Sequence, residues 1–285
     1  MALALYGKID LMGVTQQARM VYADLAGAAR LAADVHSFLR LSVDFLLARV
    51  MRVVQIPLSG RLRGVRLRGG ITLFYRLDRA DIYTIHEVWI EEIYRLPSNM
   101  QPKVMIDLGA NIGLTSLWLA KRYGASRVIA VEPSTLNAHI ARINLEANNI
   151  HADVLEAAVG AEDGTVLFDQ GPGATNGRVV DYDDPSKKGS STPAQTAIKM
   201  VSMATILKLL PEDATVDLLK VDIEGGEENL LSGDVRWLTR VKSLQAEFHP
   251  ALIDYQRVKK TILDSGLHCV QQDTIHENTL EIFVR

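Results

Sequence analysis

Five short segments carry the residues best suited to chemistry, and each stands at the end of an apolar run. The first extends from Asp107 to Gly113 with the spacing D-x-G-x-x-x-G. Glycines at such positions let the backbone turn tightly and approach a ligand that a Cβ atom would block. The spacing differs from the G-x-G-x-x-G of dinucleotide binding, and an acidic residue there would repel a pyrophosphate. The segment therefore suits a cationic ligand, such as the amino group or sulfonium of S-adenosylmethionine, with a structural glycine turn as the alternative.

Glu132 ends the second apolar run and is followed by Pro133. A carboxylate at the end of a strand can accept hydrogen bonds from both hydroxyls of a ribose. Pro133 has no N–H with which to extend a sheet, so the strand should end there and expose the carboxylate. An acidic helix N-terminus is the alternative. Because Asp107 and Glu132 lie 25 residues apart in one predicted strand–helix–strand unit, the pair is more specific than either residue alone.

Small residues end the third run, from Ala157 to Gly160. At the edge of a sheet, Ala158 could let an adenine ring lie against the backbone. Ordinary close packing explains the same small residues equally well, so this segment adds a cofactor contact only as an expectation.

The fourth segment, from Lys220 to Glu227, places several charges at the end of an apolar run. Strand alternation points Lys220 and Asp222 to the same side, and such charges are costly unless they are paired or functional. Lys220 and Asp222 could therefore pair with each other. Glu224 lies beyond the strand end, where doubly wound folds bind ligands. Glu227 and its neighbour Glu228 are explained by the preference of helix N-termini for acidic residues.

The fifth segment brings His249 and Glu247 to the end of one more run. An imidazole at that place could take a proton from a substrate hydroxyl, although a lone histidine is more often structural. Asp222, Glu224, Glu247 and His249 could instead hold a divalent cation that lowers the pKa of the hydroxyl. The sequence leaves both interpretations open.

The elements that must position these residues alternate from residue 103 onwards between short apolar runs and amphipathic segments, which is typical of βαβ units. Strands are predicted at 103–108, 127–132, 153–159, 216–222 and 243–248, and helices at 112–123, 135–148, 203–210, 226–231 and 251–265. The chain ends with strand-like runs at 267–273 and 279–285. Their connection is short, so the last strand should be antiparallel. Residues 171–195, rich in Gly, Pro, Ser, Asp and Lys, predict a long loop.

The N-terminal stretch has a different character, and we predict a separate extension over residues 1–80. It holds a charge balance of +7, against −10 in the remainder of a chain whose net charge is −3. Apolar residues at helical spacing predict helices within 15–55, alternation predicts strands within 59–78, and residues 81–95 predict a further helix. A basic helix with an apolar face can pack on the rest of the protein, form a homodimer or lie on a membrane surface.

Composition excludes several other classes of protein. Cys269 is the single cysteine, which rules out an intrachain disulfide and a cysteine-built zinc site. The chain has no run of about 18 uncharged apolar residues and no signal-like N-terminus, so neither a transmembrane helix nor export is expected. A reducing cytoplasm is therefore the expected location.

Together these segments resemble the FkbM family of methyltransferases over about residues 103–285. The resemblance rests on Ile106–Gly113, Val131–Pro133, Ala157–Gly160 with Asp163–Thr165, Leu219–Glu227 and Glu247–Pro250. Gly226 departs from the alanine expected there, which is a minor difference. The basic N-terminal stretch lies outside the resemblance and is where this member could choose its substrate.

The resemblance implies a class I methyltransferase fold, an α/β, Rossmann-like, doubly wound sheet of seven strands with the last antiparallel, within a domain expected over residues 81–285. It implies S-adenosylmethionine-dependent O-methylation of a hydroxyl on a sugar, glycolipid or polyketide-type natural product. Cofactor-binding residues carried over by the resemblance are Asp107, Gly109, Asn111, Gly113 and Glu132, with Pro133 and Ala158 bordering the same site. Asp222, Glu224 and His249 would face the acceptor hydroxyl. We predict His249 as the base, with Asp222 or Glu224 orienting the hydroxyl.

Two other functions remain as rivals. Arg61, Arg63, Arg66 and Arg68 could guide a nucleic-acid methyltransferase by contacting phosphates. The net acidity and the lack of an obvious aromatic stacking platform argue against nucleic acid as a partner. The second rival is a non-catalytic assembly protein that binds the cofactor and dimerises through residues 15–55.

Overall fold

The computed structural model describes residues 14–54, 60–169, 178–180, 196–275 and 277–285. They belong to two compact units, and the boundary lies between Ile93 and Tyr94 rather than at residue 80. The helical residues from 81 to 91 belong to the N-terminal unit because they pack on its two long helices. Ile82 and Ile85 are fully buried there.

The N-terminal unit consists of a helical pair, a β-hairpin and a short helical segment. Its elements are α1 (Val14–Leu31), α2 (Val35–Val54), β1 (Arg63–Leu67), β2 (Ile71–Tyr75), α3 (Asp81–Ile85) and a π-helical turn (His86–Glu91). The hairpin is antiparallel and turns at Gly69 and Gly70, whose φ angles of +78° and +73° favour glycine. Among the described residues, no helix combines the length and apolar character needed to span a membrane.

Buried ion pairs hold the two long helices of this unit. Asp44 on α2 is fully buried, lies 2.8 Å from the Arg63 guanidinium and accepts a hydrogen bond from the Tyr75 hydroxyl at 2.6 Å. Asp24 on α1 accepts a hydrogen bond from Arg49 of α2 at 2.5 Å. Because a buried carboxylate is costly without a partner, these contacts fix which faces of α1 and α2 point inward.

The larger unit is a doubly wound α/β fold on a seven-stranded sheet. Its strands are β3 (Val104–Leu108), β4 (Arg127–Glu132), β5 (Ala152–Glu156), β6 (Ala158–Gly160), β7 (Gly164–Asp169), β8 (Arg178–Val180), β9 (Thr196–Ser202), β10 (Leu218–Val221), β11 (Ser243–Phe248), β12 (His268–Ile275) and β13 (Asn278–Val284). Its helices are α4 (Leu114–Tyr123), α5 (Thr135–Glu146), α6 (Met203–Leu207), α7 (Glu227–Leu230), a 3₁₀ turn (Arg236–Arg240) and α8 (Tyr255–Asp264).

The seven-stranded sheet has the order β12-β13-β11-β10-β3-β4-β5. Strands β11, β10, β3, β4 and β5 run parallel, and β13 inserts antiparallel between β11 and β12. The predicted seven-stranded sheet with an antiparallel last strand is thereby confirmed. The strand order reverses between β3 and β10, which is the switch point where open α/β sheets bind ligands.

Helices cover both faces of this sheet. Ile106 and Asp107 are consecutive on β3, so their side chains lie on opposite faces. Ile106 packs in one core with Val258 and Ile262 of α8. Asp107 accepts a hydrogen bond from Ser116 of α4 on the other face. One apolar core therefore lies on the α8 face, and the buried charge of Asp107 lies on the α4 face.

A second sheet of four strands, in the order β6-β9-β7-β8, differs from the expectation. The predicted third strand over 153–159 is two strands, because the chain leaves the large sheet after Glu156 and pairs Ala158 with Met200 of β9. The residue types at 153–159 do not reveal this change of sheet, since both strands contain apolar residues although β5 is only partly buried and β6 is buried. Within the predicted loop at 171–195, residues 178–180 form β8, and 171–177 and 181–195 lie outside the described residues.

Candidate active site

The loop between β3 and α4 owes its shape to glycines at close backbone contacts. Gly109 has a φ of +78°, and a Cβ added to it would lie 1.8 Å from the carbonyl oxygen of Asp222. Gly113 also has a φ of +78°, and a Cβ there would lie 3.0 Å from the Cα of Ala141 on α5. The two glycines are therefore required by packing between neighbouring elements as well as by the turn itself. Helix α4 begins after Gly113, two residues later than predicted.

Asp107 is fully buried, and its partners are internal. One carboxylate oxygen accepts a hydrogen bond from the Ser116 hydroxyl at 2.5 Å, and the other lies 3.2 Å from the Nζ of Lys220. The expectation that this carboxylate meets a cationic ligand stays a prediction, since in the structure a cation of the chain itself already faces it.

Lys220 is buried and pairs with Asp222, as the sequence predicted. Its Nζ lies 3.5 Å from an Asp222 oxygen and donates a hydrogen bond to the Gly109 carbonyl at 3.0 Å. Burial alone would lower the pKa of Lys220, but the charges of Asp107 and Asp222 outweigh it and raise that pKa. The ammonium group thus ties the glycine loop to the ends of β3 and β10.

Glu132 is buried at the end of β4, where it is held by backbone N–H groups. Its two oxygens accept hydrogen bonds from the N–H of Asn111 at 2.8 Å and the N–H of Ser134 at 2.9 Å. Burial raises the pKa of Glu132 to about 7, although both hydrogen bonds act in the opposite direction. Pro133 is half-buried and follows the last residue of the strand, as predicted from its missing N–H.

Asn111, whose N–H binds Glu132, also has a side-chain oxygen that lacks a hydrogen-bond donor in the described part of the chain. It has a left-handed φ of 49°. Its side-chain oxygen is buried and has no hydrogen-bond partner among the residues that the structure describes. A buried acceptor without a partner is rare in native proteins, so this atom is suited to a hydrogen bond from a ligand.

Ala158 lies beside the same corner, although its strand belongs to the small sheet. The N–H of Ala157 donates to the carbonyl of Glu132 at 3.2 Å, and Ala158 follows directly. Ala158 is buried. Its expected contact with an adenine ring stays a prediction.

His249 lies at the carboxyl end of β11 within a group of carboxylates. Its Nδ1 is 3.0 Å from Glu227, and its Nε2 is 3.5 Å from Glu224 and 4.0 Å from Asp222. The structure thus brings together the three residues expected to face the acceptor. It also adds Glu227, which the sequence interpretation had explained as a helix N-terminal residue.

Glu227 is a fully buried residue that orients the others. The carboxylate oxygen that faces His249 also accepts hydrogen bonds from the N–H groups of Ile223, at 3.4 Å, and Gly225, at 3.3 Å. One side chain therefore fixes both the loop after β10 and the ring of His249. No signal in the sequence distinguishes it from Glu228, because only the tertiary structure turns Glu227 inward.

The carboxylates around His249 change its proton affinity. Burial alone would lower the pKa of His249, but the hydrogen bond to Glu227 and the charges of Asp222 and Glu224 raise it to about 9. Burial and the charge of Asp222 raise the pKa of Glu224 to about 8. Glu224 also has a left-handed φ of 51°, and backbone strain of this kind clusters at functional sites.

Tyr94 and Asn278 complete the group, and the sequence interpretation missed both. The Tyr94 hydroxyl lies 3.1 Å from an oxygen of Asp222 and 3.1 Å from an oxygen of Glu247. Asn278 donates a hydrogen bond to the other oxygen of Glu247 at 2.8 Å. Burial and the charge of Asp222 raise the pKa of Glu247. These contacts join residues far apart in sequence, so local patterns could not reveal them.

The same group has the donors that a divalent cation would need. One ligand atom from each of Asp222, Glu224 and His249 lies within 4.8 Å of the others. Oxygen and imidazole donors fit such a cation, but a metal requires the neutral imidazole. A divalent cation and a proton would therefore compete for the imidazole of His249.

Comparison with known proteins identifies a family. The model of a family described as "Methyltransferase FkbM domain" matches residues 107–264, which is 158 of the 285 residues. This span includes the glycine loop, Glu132, the loop after β10 and His249.

Individual relatives are more distant. "Methyltransferase 1" of Beauveria bassiana is 26% identical over 175 residues, which cover 56% of this chain and 70% of the relative. "Methyltransferase sdnD" of Sordaria araneosa is 24% identical over 192 residues, which cover 55% of this chain and 73% of the relative. Among solved structures, methyltransferase FkbM from Methylobacillus flagellatus is 17% identical with a TM-score of 0.47, covering 93% of this chain and 59% of that one.

Proposed function

This chain belongs to the FkbM family of methyltransferases, and on that premise we propose that it is an S-adenosylmethionine-dependent O-methyltransferase. The acceptor we propose is a hydroxyl of a sugar, glycolipid or polyketide-type natural product. The observation that carries the proposal is the position of His249 at the carboxyl edge of the sheet, with Asp222 and Glu224 facing its Nε2. A base and two orienting carboxylates are what a hydroxyl needs in order to be aligned and deprotonated.

The corner formed by the glycine loop and the end of β4 fits the cofactor. The buried oxygen of Asn111 can accept a hydrogen bond from a ligand, and the Glu132 carboxylate can accept ribose hydroxyls. The acidic surroundings of His249 suit a positively charged ligand. When bound, S-adenosylmethionine supplies a methyl group on a sulfonium that is already reactive. The protein therefore has mainly to bind, orient and exclude water.

Glu227 determines which nitrogen of His249 takes part. Its contact with Nδ1 favours the tautomer in which Nδ1 carries the proton, and this leaves Nε2 to accept one. With a pKa of about 9, His249 is an imidazolium at neutral pH in the free protein and must first lose a proton. A positive charge held nearby lowers the pKa of an imidazole, so His249 is a better base in the loaded enzyme.

Calorimetric titration with S-adenosylhomocysteine tests the cofactor. We expect micromolar binding that the Glu132→Gln variant weakens about tenfold or more, because a hydrogen bond to a charged group is lost. Glu146→Gln replaces an exposed glutamate on the far end of α5 and should bind like the wild type. Absence of binding to the wild type, or equal binding by Glu132→Gln, would contradict the proposed site.

Transfer of a labelled methyl group tests the acceptor class. Label is expected in an ether of a hydroxylated saccharide or polyketide, whereas label in an amine, or in RNA with steep salt dependence, would contradict the proposal. The same assay in the presence of a chelator distinguishes catalysis by His249 as a base from catalysis by a bound metal ion. Turnover that persists supports His249 as the base, and turnover that is lost and restored by Mg²⁺ would make Asp222 and Glu224 metal ligands.

A further inference from the structure

Helix α2 presents a continuous apolar stripe to solvent. Five residues at spacings of four, four, three and four form it, and each is between 45% and 73% exposed: Val35, Leu39, Val43, Leu46 and Val50. This spacing places them on one side of the helix. Between Val35 and Val50, His36 is the one other exposed residue of α2. Single exposed apolar residues are common, but a whole helix face of them indicates a binding surface.

Helix α1 also exposes apolar and basic residues. Tyr22 and Leu25 are exposed on it, together with Arg19 and Arg30. The three acidic residues between Ala18 and Val50 are all engaged in ion pairs. Asp24 and Asp44 are buried in the ion pairs described above, and Asp34 lies 2.9 Å from Arg66. From Ala18 to Val50 the exposed residues are therefore apolar or basic, and none is acidic.

An arginine-lined cavity lies between α2 and β1. It has a volume of about 580 Å³ and is lined by Arg40, Arg61, Leu62 and Arg63. Arg40 directly follows Leu39 on α2, and its guanidinium is held by the carbonyl of Gly64 at 3.0 Å. Arg63 is held in a similar way by its ion pair with Asp44. Arginines clustered at one opening suit phosphate, which arginine binds through paired N–H groups.

We propose that this face of the N-terminal unit binds the surface of an anionic lipid bilayer. The stripe on α2 enters the boundary between headgroups and acyl chains, and the arginines of the cavity bind headgroup phosphates. Amphipathic helices that combine apolar residues with arginine lie in membrane interfaces in this way. Anionic lipids attract such basic surfaces. The proposal is independent of the methyl acceptor.

A second copy of the chain is the competing occupant, and the charges disfavour it. Helical pairs in solution gain specificity from opposite charges on either side of the apolar seam. Here two copies would bring arginine against arginine, because no acidic residue is exposed on the helical pair. An anionic lipid surface supplies the complementary charge.

Sedimentation of the full chain with sucrose-loaded vesicles tests the proposal. We expect binding to phosphatidylcholine mixed with phosphatidylglycerol, little binding to phosphatidylcholine alone, and release as salt screens the headgroup charge. Equal binding to both vesicles, or binding to neither, would overturn the proposal whatever the variants do.

Variants then locate the surface. Leu39→Asp combined with Leu46→Asp should reduce affinity at least about tenfold, because two apolar side chains no longer leave water. Leu263→Asp is the matched control on α8, since Leu263 is 42% exposed in the other unit, and it should bind like the wild type. Arg61→Gln should weaken binding to anionic vesicles alone.

Two outcomes of these measurements decide against lipid. If the folded double variant, checked by circular dichroism, binds vesicles like the wild type, the stripe is not the contact. If the wild type ignores vesicles but is a dimer by light scattering, and the double variant is a monomer, the stripe joins two copies. The proposal is wrong in either case.

Discussion

Lys220 and His249 are two buried basic residues surrounded by carboxylates, and they have different roles. Lys220 is enclosed by Asp107, Asp222 and the Gly109 carbonyl, so its charge is committed to holding three segments together. His249 is held at Nδ1 by Glu227, while its Nε2 faces the longer contacts to Asp222 and Glu224. The charge of Lys220 therefore has a structural role, whereas the Nε2 of His249, with its longer contacts, can exchange a proton with a ligand.

Replacement of His249 by Gln should separate catalysis from binding. We expect kcat to fall by about 10²–10⁴, the usual contribution of a general base, while the affinity for S-adenosylhomocysteine stays the same. His268→Gln on the exposed side of β12 is the control and should leave both quantities unchanged. Steady-state kinetics with calorimetry measures the two effects. Unchanged turnover in His249→Gln would rule out His249 as the base.

The raised pKa of His249 also predicts how stability depends on pH. The folded protein holds a proton on His249 up to about pH 9, whereas the unfolded chain releases it near 6.5. The contribution of His249 to the free energy of unfolding is complete below pH 6.5 and is lost as pH rises through 9. Glu224, with a pKa raised to about 8, acts in the same direction from a lower starting pH.

Denaturant unfolding at pH 6.5 and at pH 9 measures this effect. The wild type should lose on the order of 1–3 kcal/mol across that interval. His249→Gln should lose less, and His268→Gln should lose as much as the wild type. A wild-type free energy of unfolding that rises over the interval would contradict the raised pKa.

At the scale of elements, the site depends on how closely strand ends and loops approach one another. The loop after β3 touches the end of β10 through Gly109, and the loop after β10 touches β11 through Glu227 and His249. Each loop is short and is closed by hydrogen bonds to a neighbouring element. The candidate site is therefore built by contacts between adjacent strands rather than within any single motif.

Gly109→Ala is expected to disturb this arrangement. A methyl group at a φ of +78° costs about 1–2 kcal/mol, and the contact of 1.8 Å with the Asp222 carbonyl adds about 1–3 kcal/mol or more. Gly124→Ala is the matched control, with a φ of +74° and only the flexible end of Lys103 nearby at 3.4 Å. Denaturant unfolding should show the cost of the left-handed φ in both variants and the cost of the close contact in Gly109→Ala alone. Equal losses of stability in the two variants would mean that the backbone at Asp222 moves to accommodate the methyl group.

At the scale of the whole molecule, the order of strands places β13 in the interior of the sheet. Strand β13 is the last in sequence, yet it lies between β11 and β12 and carries the fully buried Phe283. Phe283 packs edge-on against Phe248 with ring centres 6.4 Å apart. The position of Phe248 and hence of the adjacent His249 therefore depends on the packing of β13.

Phe283→Ala should therefore be costly. We expect a loss of about 3–5 kcal/mol in the free energy of unfolding of the larger unit, as for other buried phenylalanines. Val270→Ala on the neighbouring β12 is the control, because Val270 is half-exposed, and it should change stability by less than about 0.5 kcal/mol. Chemical denaturation followed by circular dichroism measures both. A loss below 1 kcal/mol for Phe283→Ala would show that the core closes around the gap.

The amino-acid sequence by itself determined the strands and helices of the seven-stranded sheet, its antiparallel last strand and the family, but not the strands β7, β8 and β9 of the small sheet. Alternating apolar runs and the spacing from Asp107 to Glu132 are local signals, and local signals follow from backbone geometry and side-chain periodicity. For the same reason, the placement of Asp222, Glu224 and His249 at one edge followed from the rule that parallel strands share a carboxyl edge.

Only the tertiary structure decided which of these charges are paired, which are available, and which further residues join them. The commitment of Asp107 to Lys220, the inward turn of Glu227 and the arrival of Tyr94 beside Asp222 depend on contacts between distant parts of the chain. The same is true of the change of sheet after Glu156. Burial and electrostatics act through space rather than along the sequence, so a pattern of residue types does not contain them until the chain has folded.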